Sequence, residues 1–176
     1  MKEELILDEK ELEKMKIVII NKEIIKNLDF DCGDEDLNDF IYNDALNHLY
    51  EKLAVTYLCM IDEIVIGFVS IANASIKINK KHKKEMKYQY PEFPSVRLGR
   101  LGVDNRYKRK GIGTYIAKWV SGKSQDIGHE MGIRFVSLDA YEKSVKFYKK
   151  LGFHIRDNKR RNIPMYFDLK KIEKEN

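Results

Sequence analysis

Residues 107–116 read YKRKGIGTYI, and four cations, Arg106, Lys108, Arg109 and Lys110, stand directly before Gly111 and Gly113. Glycines after a strand let the backbone come close to an anion. If a helix starts at the same place, its first amides point at that anion and its dipole favours negative charge. A phosphate group is what such a turn would serve. Two familiar phosphate loops do not fit. Ile116 stands where a dinucleotide-binding GxGxxG needs its third glycine, and Ala117 stands where SGKS at 121–124 would need the first glycine of a P-loop. The glycine spacing alone supports two readings equally, an anion site and a glycine turn with a solvated basic flank. His48, His82, His129 and His154 are scattered, and Cys32 and Cys59 have no zinc-like spacing, so no metal site is expected.

The elements that must position this turn are legible from periodicity. KIVII (16–20) is a short strand, and the segment 30–52 reads as a helix capped by Asp34 or Asp36, with Leu37, Phe40, Ile41, Ala45 and Leu49 on its buried face. VTYLCMI (55–61) and IVIGFVSI (64–71), separated by Asp62 and Glu63, have the composition of an antiparallel hairpin. Residues 77–94 are too polar for a core and end in prolines, which predicts an exposed loop with at most a short helix. VRLGRLGV (96–103) resumes as a strand, and Gly111 opens a helix whose buried face is Ile112, Ile116, Trp119 and Val120. IRFVSL (133–138) is a further strand. A second helix carries Ala140, Ser144, Phe147 and Leu151 and stops at Gly152, and IPMYFDL (163–169) closes the order as a strand. The expected class is mixed α/β.

The chain has 176 residues, 43% of them hydrophobic, which suits one domain spanning 1–176 with a single core. Two cysteines are too few for a disulfide framework and no apolar run reaches membrane-spanning length, so a cytoplasmic protein with no membrane partner is expected. The net charge of +5 favours an anionic ligand or partner.

LGVDNRYKRKGIGTYI (101–116), with LDAYEKSVKFYKKLGF (138–153) a strand and a helix later, resembles the GCN5-related N-acetyltransferases (GNAT), whose signature is Gln or Arg, two residues, Gly, one residue, then Gly or Ala. The resemblance covers most of the chain. It implies a GNAT-like domain with a mixed, mostly antiparallel central sheet flanked by helices, and an enzyme that moves an acetyl group from acetyl-CoA to a primary amine. It also implies site residues. The loop Arg109, Lys110, Gly111, Ile112, Gly113 and Thr114 would bind the pyrophosphate of acetyl-CoA, with Lys108 in the Gln or Arg position. The backbone of Leu101 and Val103 would pair with the pantetheine arm, and Tyr148 would protonate the departing thiolate. Tyr141 stands where many members carry a cofactor-binding Asn.

Taken from its helix alone, Tyr148 reads as a core residue beside Phe147. As the acid, it is a phenol of pKa about 10 facing a thiol of about 8.5, a transfer expected to run downhill. With no base standing out among the histidines, water would take the amine proton, and proximity would do much of the rest.

FDCGDEDLNDFIYNDA (30–45), TYLCMIDEIVIGFVSI (56–71) and RLGRLGVDNRYKRKGIG (97–113) are similar in arrangement to the branch of that superfamily that includes the tRNA-acetylating toxins of toxin-antitoxin pairs. That similarity implies charged tRNA as the acceptor, a small antitoxin protein as a partner, and a homodimer as a candidate assembly. An acetyltransferase for a small amine or a protein amino group, and a catalytically silent module binding CoA or RNA, stand as alternatives. Two basic clusters fit a nucleic acid: Lys77, Lys80, Lys81, Lys83, Lys84 and Lys87 with Tyr88 and Tyr90, and Arg156, Lys159, Arg160 and Arg161. A solvated, lysine-rich surface is the bland alternative.

Overall fold

The computed structural model describes residues 7–156 and 162–172. In chain order it contains α1 (Glu9–Lys14), β1 (Met15–Ile19), α2 (Lys22–Lys26), α3 (Glu35–Asp39), a π-helical turn (Phe40–Asp44), α4 (Ala45–Tyr50), β2 (Val55–Ile61), β3 (Ile64–Ile76), α5 (Lys80–Lys84), β4 (Phe93–Val103), α6 (Ile112–Met131), β5 (Phe135–Ala140), α7 (Val145–Lys150), β6 (His154–Ile155) and β7 (Ile163–Asp168). The strands form a seven-stranded sheet in the order β1-β2-β3-β4-β5-β7-β6. The β4–β5 pair is parallel, and β1–β2, β2–β3, β5–β7 and β6–β7 are antiparallel. This is the expected α/β class, a mostly antiparallel sheet flanked by helices. The chain divides into two compact units, neither of them one continuous segment: the chain through Ala72 with Gly99–Lys118, and Asn73–Leu98 with Trp119 onward.

In the first unit, β1, β2 and β3 form a meander. Asp62, with φ of +52°, turns the chain between β2 and β3, and the register slips by one residue between Cys59 and Met60. The helical segment starts at residue 35 rather than 30, because the Asp34 carboxylate, not that of Asp36, caps it by accepting the Leu37 N–H at 3.2 Å. Its middle turn is widened, with Ala45 N–H bonding Phe40 C=O. Leu37, Phe40, Ile41 and Ala45 line the inner side of the segment. The core it joins holds Ile20, Phe30, Leu58, Met60, Val65 and Phe68. Two glycines set the spacing against it: a Cβ on Gly67 would lie 2.7 Å from Ile116 Cδ1, and one on Gly102 would lie 2.6 Å from Phe68 Cε1. The buried apolar side chains of α6 are Ile112, Ile116, Ala117 and Val120, whereas Trp119 is half-buried.

In the second unit, β5 runs against β7 over six residue pairs, and pairs in parallel with β4 only at Ser95–Arg97. Ile76, Ile78, Phe93, Phe135 and Tyr166 make its aromatic core, with edge-on rings 5.8 Å (Phe93–Phe135) and 5.6 Å (Phe135–Tyr166) apart. Arg134 clamps Asp168 with two 2.8 Å bonds. The segment expected as a loop is shorter than 77–94, since β3 runs on to Ile76 and β4 starts at Phe93. Ile78 and the half-buried Met86 pin it to the core. Ala140 ends β5 instead of lying on the second helix. Helices α1 and α2 have no counterpart in the sequence reading; at six and five residues they are too short to show a periodic stripe.

Candidate active site

The glycine turn is built on the end of β4. The Asp104 N–H bonds the Ile66 carbonyl of β3 at 3.0 Å, so the alternation of a strand turns the backbone groups of Val103 and Leu101 to the opposite edge. The ladder between β4 and β5 has ended by Arg97. Asn105–Tyr107 then form one turn of 3₁₀ helix, Lys108 is extended, and Arg109 and Gly111 take positive φ values of +62° and +79°. Only at Gly111 is that conformation free of a side-chain penalty. The Gly111 carbonyl accepts the Tyr115 N–H at 2.9 Å, which starts α6 and leaves the N–H groups of Ile112 and Gly113 without acceptors inside the helix. Loop amides and helix dipole therefore face the same way.

The four cations before the glycines are not a single anion cradle. Arg106 holds the chain together: its guanidinium bonds the Asp104 carboxylate at 2.8 and 2.9 Å, the Asp29 carboxylate at 2.8 Å and the Asp29 carbonyl at 2.8 Å. Its hydrogen bonds to Asp104 and then to Asp29 hold its proton more tightly than usual. Burial pushes the Asp104 carboxyl up, but hydrogen bonds from Arg106 and the Asp31 N–H outweigh it and hold the group below the ordinary carboxylate range. Lys108 donates to the Cys32 carbonyl at 2.7 Å, and the Lys110 ammonium lies 5.1 Å from the centre of the Tyr107 ring. Arg109 is exposed, and no described residue hydrogen-bonds to its side chain.

A second turn, Asp29–Gly33, braces the first. The Asp31 carbonyl accepts the Asn105 N–H at 2.8 Å, and its carboxylate accepts Gly33 N–H and Asn38 Nδ2–H, both at 2.7 Å, which lower its pKa. Asp29, Asp31, Asn38 and Asp104 have no place in the sequence reading. The signal for Asp29 and Asp31 is the acidic run from Asp29 to Asp36, and a charge run by itself is usually a solvated face.

In the second unit, Tyr148 sits on α7. The helix ends in a Schellman turn, in which Phe153 N–H bonds Tyr148 C=O and Gly152 N–H bonds Lys149 C=O, both at 3.0 Å, with Gly152 at φ +87°. The Tyr148 ring is 8% exposed and meets Phe147 and Phe153 edge-on at 4.9 and 5.5 Å, while Phe147 is only half-buried. No described residue hydrogen-bonds its hydroxyl. Burial pushes the phenol up to about 12. The expected downhill proton transfer is therefore corrected in sign: a phenol at its ordinary value is already a weaker acid than a thiol, and burial widens the gap. Transfer is balanced only where the sulfur is desolvated too, as burial alone pushes the Cys59 thiol to about 12. Tyr141 is exposed, with the Lys143 ammonium over its ring.

The residues of the first basic cluster are described. Lys80, Lys81, Lys84 and Lys87 are exposed, α5 is capped by Asn79, and Tyr88 and Tyr90 lie on the surface stacked on each other at 6.1 Å and 23°. Lys77 pairs with Glu92 at 3.9 Å. Of the second cluster, Lys159, Arg160 and Arg161 lie outside the described residues. The histidines stay dispersed apart from His82 and His154, whose rings are 5.3 Å apart. Among the described residues no group of three or more His, Cys, Asp and Glu side chains is placed to hold a metal ion, and no helix is long and apolar enough to cross a membrane.

Comparison with known proteins converges on one family. Residues 52–155, more than half of the chain, match the acetyltransferase (GNAT) domain. A tRNA-acetylating toxin of Mycobacterium tuberculosis is 24% identical over 128 residues, covering 72% of this chain and 76% of the relative. Among solved structures, AtaT complexed with acetyl-methionyl-tRNAfMet superposes with a TM-score of 0.78 at 25% identity, over 92% of this chain and 98% of that one. AtaTR bound with acetyl-CoA gives 0.75 at 25% identity, over 93% and 98%. A tyrosine-to-phenylalanine variant of KacT gives 0.79 at 24% identity over 93% and 99%, a likeness of fold.

Proposed function

Because this chain belongs to the GNAT acetyltransferase family and is an acetyl-CoA-dependent N-acetyltransferase, we propose that the amine it acetylates is the α-amino group of an aminoacyl-tRNA. The observation that carries this reading is the exposed basic surface of residues 77–87, followed by the stacked pair Tyr88 and Tyr90. Lysines free in solvent can follow a phosphate backbone, and exposed aromatic rings offer a face to bases. Support comes from the relatives: one is a tRNA-acetylating toxin and another is a complex with acetyl-methionyl-tRNA. On the same footing, the chain acts in the cytoplasm as the toxin of a pair, with a small antitoxin protein as its partner, and 1–176 forms one domain.

In this reading the amides of Ile112 and Gly113, with Arg109, Lys110, Gly111 and Thr114 around them, hold the pyrophosphate of acetyl-CoA, and Lys108, bonded to the Cys32 carbonyl, braces the loop. The backbone of Leu101 and Val103, turned to the free edge of β4, pairs with its pantetheine arm. An α-amino group has pKa about 7.7 to 8.0, so much of it is neutral near pH 7 and needs no strong base. Its nitrogen attacks the thioester carbon, and the tetrahedral adduct collapses with cleavage of the C–S bond. Sulfur takes the Tyr148 proton as that bond breaks. The surplus proton on nitrogen passes to water, and water returns one to the phenolate. The buried phenol suits this role only as a proton donor concerted with bond cleavage.

The test is acetyl-CoA turnover against charged tRNAs, polyamines, amino acids and peptides, in the parent and in a variant with Lys80, Lys81, Lys83 and Lys84 all changed to Ala. The variant is expected to show a raised Michaelis constant for charged tRNA and a flatter salt dependence, with acetyl-CoA affinity little changed. A parent that ignores charged tRNA and acetylates a small amine, or a variant indistinguishable from the parent across a salt series, rejects this reading.

A further inference from the structure

Arg100, on β4, lies over the ring of Phe40 with its Cζ 4.0 Å from the ring centre. Phe40 is the first residue of the π-helical turn and is itself fixed: it is buried, stacked on Phe68 at 6.2 Å and met edge-on by His48 at 5.4 Å. Arg100 is exposed, and no described residue accepts a hydrogen bond from it or pairs with its charge. In a chain with 28 acidic residues, three other guanidiniums are paired, Arg97 with Asp139, Arg106 with Asp104 and Asp29, and Arg134 with Asp168, while Arg109 is open like Arg100 but has no described ring beneath it. Contact with the ring uses the flat side of the guanidinium and leaves the N–H donors around its rim free. A charge held rigidly by a π face, rather than by a carboxylate, keeps its full affinity for an incoming anion.

We infer that Arg100 is a binding residue for the acceptor, gripping a phosphate of the nucleic acid's 3′ end in a bidentate manner. The inference rests on the aminoacyl-tRNA reading above. Arg100 immediately precedes Leu101, whose backbone is proposed to carry the pantetheine arm, so a phosphate on Arg100 is held within a side chain's reach of that strand. In an aminoacyl-tRNA the amino group sits on the terminal nucleotide, one residue from a phosphodiester. A fork of N–H donors matches two phosphate oxygens in a way a lysine ammonium does not. The lysines of 77–87 attract the acceptor in general; Arg100 sets where its end lies.

The experiment compares two acceptors that share the aminoacyl group, a charged tRNA and the corresponding aminoacyl adenosine, which lacks phosphate. Arg100→Met is expected to raise the Michaelis constant for charged tRNA about tenfold or more, the loss typical of a charge-assisted pair. It should also lower the salt slope by about 0.7 to 0.9, one phosphate's share, and have little effect with aminoacyl adenosine. Arg100→Lys should restore the salt slope while recovering only part of the affinity. A charged-tRNA constant and salt slope equal to the parent's overturn the inference, as does an equal loss with both acceptors, which would put Arg100 on the aminoacyl group or in the packing of β4. Failure of the underlying reading looks different: the parent itself would acetylate aminoacyl adenosine but not charged tRNA, and the inference falls with it.

Discussion

At the residue scale, Tyr148 combines a packed ring with an uncommitted hydroxyl. Removing the hydroxyl leaves the edge-on contacts to Phe147 and Phe153 in place and breaks no hydrogen bond with a described residue. Tyr148→Phe is therefore expected to keep the melting temperature of the parent while turnover falls about 10²-fold or more, the range for loss of a general acid. Steady-state rates beside a thermal scan check it. Normal turnover would return Tyr148 to the packing role its helix suggests. A residue's chemistry was only half legible in its neighbours: FYKKLGF places Tyr148 one turn before a glycine stop, but the sequence pattern put Phe147 on the buried face. The depth of Tyr148, and with it a phenol pushed to about 12, follows from which side of a six-residue helix meets Phe153.

At the element scale, the approach of β3 to β4 is set by glycines. Gly102 faces the Phe68 ring, and Phe68 is buried against Phe30 and Phe40, so it has no room to swing away. Gly102→Ala is expected to cost about 1 to 3 kcal/mol of stability, the usual range for overpacking a filled core, measured by denaturant unfolding. Pairing it with Phe68→Leu should return part of that loss, because the two sites share one contact. A neutral Gly102→Ala would mean that the ring yields, and the close approach would not be what Gly102 supplies.

Across the whole molecule, neutral buried acids decide how the fold responds to alkali. Burial pushes the Cys59 thiol from 9.0 and the Tyr148 phenol from 10.0 to about 12 each. The folded chain keeps these protons where the unfolded chain releases them. Their contribution is complete below about pH 9 and is lost as pH rises towards 12, with a limiting slope of about 1.4 kcal/mol per pH unit for each group. Melting temperature should hold steady from neutral pH to about 9 and then drop. Burial raises the Cys32 thiol from 9.0 as well, so Cys59→Ala should flatten part of the drop between pH 9 and 10, where the unfolded chain releases its thiols ahead of its phenols, and an unaltered profile there would show that Cys59 is not among its sources.

By itself the sequence determined what consecutive residues can encode: the β-branched runs of β2 and β3, an aspartate cap at 34 or 36, the glycine turn opening α6, the Gly152 stop, and the signature that goes with them. Each is a local backbone preference or a local period. What only tertiary structure decided is the assignment of charge. Arg106 and Lys108 sit in the same basic run as Arg109, yet they are spent on Asp29 and Cys32, 77 and 76 residues away, while Arg109 stays open. Arg100 likewise looks like any strand arginine until Phe40 is under it. A cation's partner depends on which distant oxygen or ring the fold brings within a few ångströms, because Coulomb attraction falls with distance and salt screens the farther charges of a run.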